Sequence, residues 1–190
     1  IPTRPLFIVF LAFLHLLFGE NYPNIIAAQT FVLAGMPVVL YALGRKLHSR
    51  AAGVTVALFF IFRELTSLMV ASNIRVTNTK LLLADLPTLF LLLLSCLFTL
   101  RWHDRRDAAS ATLAGGTFGV LLLLRTQSML ILPIVLLATA FVFGWRNRTL
   151  YRHTLVFILS LTVAVVPWLT RNYVTTGSFA FDKSTQYQLL

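Results

Sequence analysis

Acid is scarce in this chain. Asp and Glu number 6 against 16 Lys and Arg, and charged residues of both signs make up 12% of the sequence, half of the ~25% usual in soluble domains. With 58% hydrophobic residues and a mean hydropathy of +0.83, the chain belongs in a bilayer. Cysteine is nearly absent as well. Cys96 has no partner for a disulfide within the chain, leaves the redox compartment open, and sits among leucines where a thiol packs as a small apolar group. There is no His-x-x-x-His, no cysteine pair and no Gly-x-Ser-x-Gly, so metal-hydrolase and serine-hydrolase readings have no support. A net charge of +10 raises nucleic acid as a partner, but the cations stand in small groups between apolar runs rather than on one basic face, and membrane topology explains them better.

The apolar runs predict an all-α integral membrane protein, a bundle of about six transmembrane helices with a short interfacial helix at the N-terminus. The short helix is Pro5 to Phe18, too brief to cross, and its His15 has no second metal-type residue at helical spacing. The spans are Ile25 to Leu43, Ala51 through the Arg63-Glu64 pair, Leu81 to Leu100, Ala108 to Leu124, Met129 to Phe143 and Thr154 to Leu169. Pro37 falls inside the first of these, which membrane helices tolerate when neighbours satisfy the freed carbonyl. Ala111, Gly115 and Gly119, with Gly116, give one helix a smooth face for close backbone approach inside the bundle. No repeat, low-complexity tract or linker interrupts Ile1–Leu190, which reads as a single transmembrane domain. The start on Ile1, without a basic n-region or cleavage signal, is read as the start of a piece of a longer protein.

Loop charge sets the orientation. Arg45, Lys46, Arg50, Arg101, Arg105, Arg106, Arg146, Arg148 and Arg152 cluster tightly at span ends, as on a cytoplasmic side, and the remaining cations then face outward. On this topology the Asn147-Arg-Thr149 acceptor pattern is cytoplasmic and unmodified. The outward set includes Arg4, Arg63, Arg75, Lys80, Arg125 and Arg171, each close to the end of an apolar segment. An anion held at the membrane surface explains such a set, because arginine grips phosphate through paired, charge-assisted hydrogen bonds. The candidate phosphate ligands are Arg63, Arg75, Lys80, Arg125 and Arg171, with Glu64 and Asp85 as supporting carboxylates. For any one cation the plain alternative is snorkelling to the headgroups. Glu64 pairs with Arg63 or Lys80 on the plain reading, and Asp85, two residues before Pro87, fits a helix N-cap as well as a site.

Several short motifs stand in a telling order. Arg4-Pro5-Leu6 leads a helix closing at Leu17-Phe-Gly19; Tyr41-Ala-Leu-Gly44-Arg-Lys-Leu-His48 precedes Ala52-Gly53; Leu83-Ala-Asp85-Leu-Pro-Thr88 follows. Leu124-Arg125 comes before an apolar run, and Pro167-Trp168-Leu-Thr-Arg171-Asn172-Tyr173 ends near Gly177-Ser-Phe179. In this arrangement nearly the whole chain resembles the GT-C membrane glycosyltransferases of the family 39 type, which groups protein mannosyltransferases with aminoarabinose transferases. The resemblance implies transfer of a sugar from a polyprenyl-phosphate donor to an acceptor hydroxyl on a lipid, glycan or protein, at the outer face of the plasma (inner) membrane. It further implies a general base in an outer loop upstream of the Pro-Leu helix, so no acidic residue here takes that role. A first span and that loop are expected before Ile1, and an outer region from about residue 174 onward. Donor sugar, acceptor and the need for a divalent metal stay open. The alternatives from other classes are a transporter or flippase for an anionic lipid, against which no inverted repeat of broken spans is visible, and a non-catalytic membrane subunit.

Overall fold

The computed structural model describes residues 5–70, 78–145, 147–179 and 181. The chain is an all-α membrane protein with no strand among the described residues. Its helices are α1 (Pro5–Phe18), α2 (Tyr22–Leu33), α3 (Met36–Leu47), α4 (Arg50–Val70), α5 (Asp85–Arg105), α6 (Ala108–Leu124), α7 (Leu132–Phe143) and α8 (Arg148–Thr176), with a 3-10 turn at Thr126–Ile131. Five helical stretches among the described residues are long and apolar enough to cross a membrane: Tyr22–Leu47, Arg50–Val70, Asp85–Arg105, Thr126–Phe143 and Arg148–Thr176. The remaining expected span, α6, has 17 residues, about 26 Å of helix against a hydrocarbon core of about 30 Å. The chain divides into two compact units, one from Val9 to Leu93 and one built chiefly from Leu94 onward.

In the first unit the expected Ile25 to Leu43 helix is broken at Ala34 and Gly35. Pro37 is the cause: it has no N–H to return to the Leu33 carbonyl and its ring crowds that group. The residues flanking the break, Leu33 and Met36, are buried, while Ala34 is exposed. Leu33, Met36 and Leu86 form a core on which Phe60, Phe90 and Leu93 pack, and a Cβ on Gly35 would meet Phe90 Cζ at 3.3 Å. Further on, α3 and α4 form a tight hairpin. Ser49 starts α4 by accepting from the Ala52 N–H at 3.2 Å, a helix cap of the usual type. The helices then touch glycine to glycine, since a Cβ on Gly44 would lie 2.7 Å from Gly53 Cα and one on Gly53 would lie 2.6 Å from the Tyr41 carbonyl oxygen. The Tyr41 to Gly53 motif is therefore packing geometry.

In the second unit α6 and α8 run parallel. Ser160 Oγ donates to the Thr112 carbonyl at 2.8 Å, a Cβ on Gly115 would overlap the Phe157 carbonyl, and one on Gly119 would lie 2.8 Å from Ala164 Cβ. The small-residue face on α6 thus serves the bundle's own packing. Beside it Trp102 is fully buried, stacked on Phe157 at 5.4 Å and tilted against Phe143 at 5.9 Å. His103 shares a hydrogen bond with Thr139 Oγ1 at 3.0 Å. The N-terminus of α6 is capped by Asp107, which accepts from the Ser110 N–H at 2.6 Å. That bond, helped by Arg105 and His153, holds the Asp107 carboxyl below its ordinary range despite a small opposing effect of desolvation.

Candidate functional site

The candidate charged residues fall into two groups, one in each unit. In the first unit, Glu64 lies on α4, about two-thirds of the way along a 21-residue helix. Its carboxylate reaches in two directions. One oxygen accepts from Arg63 Nη1 at 3.1 Å, with Arg63 44% exposed and Glu64 13% exposed. The other accepts from the Thr79 backbone N–H at 2.6 Å. Thr79 is buried, and its carbonyl is held in turn by Gln29 Nε2 at 3.0 Å. Gln29 Nε2 also donates to the Leu81 carbonyl at 2.9 Å, while Asn78 Oδ1 accepts from the Lys80 N–H at 3.1 Å. The loop before α5 is therefore pinned by side chains from α2 and α4, which supply the hydrogen bonds that a buried non-helical backbone needs.

Lys80 is exposed on that loop, one residue from the Glu64 contact. Asp85 is the first residue of α5, one step past the cap position. The Ala84 carbonyl takes the first helical bond, from the Thr88 N–H at 2.9 Å, so Asp85 adds negative charge at the helix start, where the peptide dipoles favour it. Arg75 lies outside the described residues. Of the sequence-expected pairings, Glu64 takes Arg63. Gln29 and Thr79 were not picked out by sequence reasoning. The available signal was an amide within an otherwise apolar span, which is expensive unless it has a task.

In the second unit, Arg125 ends α6 in an extended conformation, with φ −152° and ψ 107°. It is exposed, and its carbonyl accepts from the Ser128 N–H at 3.0 Å as the chain turns. Arg171 lies in the last two turns of α8. Its guanidinium rests 4.8 Å above the Trp168 ring and donates to Asn172 Oδ1 at 3.2 Å. Trp168 is itself fixed by donating from Nε1 to the Phe181 carbonyl at 3.2 Å, and Asn172 is fully buried. Because α6 and α8 are parallel and Gly119 lies beside Leu161 and Ala164, the same register brings Arg125 level with the turn holding Pro167 to Thr170. Both arginines thus occupy the same end of one helix pair. The Arg171 plane is set by stacking, and a single bond to Asn172 occupies one of its five donors. Chemically, this end of the pair can hold an anion with a preoriented fork.

Among the described residues no group of three His, Cys, Asp or Glu is placed to hold a metal ion. Comparison with known proteins yields a match over residues 2–170 to the family model described as dolichyl-phosphate-mannose-protein mannosyltransferase. No curated protein and no solved structure matches.

Proposed function

The chain belongs to the dolichyl-phosphate-mannose-protein mannosyltransferase family, and from that premise we propose that it moves a sugar from a polyprenyl-phosphate donor to an acceptor hydroxyl at the outer face of the plasma membrane. The observation that carries the reading is the shared end of α6 and α8, where Arg125 and a Trp168-fixed Arg171 stand level. In the reaction the bond between the anomeric carbon and the phosphate oxygen breaks, the acceptor oxygen bonds to that carbon, and the acceptor proton passes to a base. No residue of this chain is assigned as that base. The leaving phosphate gains charge as the bond breaks, so cations already oriented toward it stabilise the transition state more than the bound donor. Arg125 and Arg171 have that role in this unit. In the other, Arg63, Arg75 and Lys80 are the candidates, with Glu64 and Asp85 in support.

The test is transfer by the full-length protein from a panel of radiolabelled polyprenyl-phosphate sugars. Arg125→Ala and Arg171→Ala are each expected to lower the rate by at least ~100-fold, the scale seen when one preorganised donor to a developing charge is removed, with membrane insertion unchanged. Arg171→Lys keeps the charge but loses the planar fork and its stacking, so it recovers only part of the rate. Transfer at wild-type rates by both alanine variants overturns the reading. Tight binding of lipid-linked sugar with no turnover by the wild type favours a transport or scaffolding role instead.

A further inference from the structure

The end of the second unit opposite Arg125 and Arg171 carries a feature that the transfer reaction does not use. Between α7 and α8 runs an apolar cavity of about 390 Å³, within the ~300–1,000 Å³ range of small-ligand sites. Leu136 and Ala140 of α7 face Leu155 and Ile158 of α8 across it, and Trp145 and Tyr151 stand at its mouth. The mouth is ordered: Tyr151 Oη donates to the Trp145 carbonyl at 2.9 Å, and Phe141 meets Trp145 edge to face at 6.0 Å. Tryptophan and tyrosine settle at the headgroup level of a bilayer, which places the mouth there.

Charge and depth identify the occupant. Arg148, Tyr151, Leu155 and Ile158 follow one another at spacings of three, four and three residues, so they share one face of α8. Arg152 stands one turn beyond Arg148. Both arginines are exposed, and among the described residues neither has a carboxylate partner. The carboxylate of Asp107, near this end, is taken up by the Ser110 N–H. From Tyr151 at the mouth to Ile158 the helix rises about 10 Å, about two-thirds of one leaflet of a hydrocarbon core about 30 Å thick, and Arg148 stands about one turn above the mouth. A cation at headgroup level above an apolar slot that reaches most of the way into one leaflet matches a lipid with an anionic head. We infer that this groove binds an anionic phospholipid, with one acyl chain between α7 and α8 and the phosphate on Arg148, assisted by Arg152.

The experiment is native mass spectrometry of the delipidated full-length protein titrated with phosphatidylglycerol or phosphatidylcholine bearing identical acyl chains. The wild type is expected to retain phosphatidylglycerol preferentially. Arg148→Ala and Arg152→Ala should each weaken that retention roughly fivefold, the effect of one basic residue at an anionic surface, while Arg45→Ala, a basic residue elsewhere, should not. Ala140→Phe, which fills the slot, should abolish retention of the first lipid equivalent. Leu155→Phe gives the same reading should Ala140→Phe fail to fold. Equal retention of the two lipids overturns the inference, as does wild-type selectivity in the arginine variants. Unchanged retention in both filled variants, or a full-length protein that holds no lipid because its own helices cover the slot, does so too.

Discussion

Replacement of Glu64 separates two roles open to this carboxylate, holding the loop before α5 and transferring a proton. Its bond to Arg63 joins a 44% exposed cation, and exposed pairs contribute little, about 0–1 kcal/mol. Its bond to the Thr79 N–H, at 2.6 Å, is different, because Thr79 is buried. A hydrogen bond to a charged group contributes about 1.5–3 kcal/mol, and a buried amide left without an acceptor carries its desolvation cost in addition. Glu64→Ala should therefore destabilise the loop by about 2 kcal/mol, a roughly thirtyfold rise in the open population. Glu64→Gln keeps an oxygen acceptor at the same place and should cost about half as much. Hydrogen exchange at the Thr79 amide, measured on the full-length protein in nanodiscs, is expected to rank Glu64→Ala fastest, Glu64→Gln next and wild type slowest. Sugar transfer should fall in the same order. A loss of 10²–10⁴-fold in Glu64→Gln, the scale of a missing proton-transfer group, with Thr79 exchange at the wild-type rate, refutes the positioning role and makes Glu64 a base.

Gln29 holds the other side of Thr79, so Gln29→Leu and Glu64→Ala should be non-additive, with a coupling of about 0.5–3 kcal/mol in a double-mutant cycle; strictly additive opening free energies from hydrogen exchange would show that the two bonds act independently. Gly115→Ala puts a methyl into the Phe157 carbonyl; overpacking of about 1–3 kcal/mol outweighs the ~1 kcal/mol of helix propensity gained, and a lower melting temperature is expected, whereas a rise would contradict the close parallel packing of α6 on α8. The Asp107 carboxyl is held below its ordinary range by the Ser110 N–H. A lowered folded-state value means that the stabilisation is present above the unfolded value of 3.8 and is lost as pH falls through the lower folded value. Exchange at Ser110 should thus accelerate below about pH 4 in the wild type and show no such step in Asp107→Asn.

Much of the helical layout was legible because charge punctuates it: Arg50, Arg105 and Arg148 stand at helix ends where the apolar runs begin or stop. The boundaries that moved did so for identifiable reasons. Leu81 to Ala84 is apolar and reads as span, yet the Leu81 carbonyl is already taken by Gln29 and α5 waits for Asp85. Pro133, near the start of α7, limits that helix to Leu132–Phe143, with a 3-10 turn before it. The last helix extends well past Thr154 to Leu169, over 29 residues. Arginine and threonine continue a helix beyond the apolar zone without trouble, and hydropathy cannot detect that continuation.

The candidate site was legible in its cations and opaque in its supports, and the difference has a physical basis. A cation at a span end advertises itself in one dimension, because few residues with that chemistry are tolerated there. A support such as Gln29 is defined by a partner 50 residues away and Glu64 by one 15 residues away, distances that only the fold closes. The structure also divides polar residues that composition treats alike. Those whose side chains end on backbone groups, as with Gln29, Glu64 and Asp107, satisfy the chain itself and maintain its shape. Arg171 instead has its plane fixed on Trp168 with most of its donors uncommitted among the described residues. That arrangement suits the phosphate-binding role proposed for Arg171, because a guanidinium held over an indole presents its remaining donors in a fixed plane.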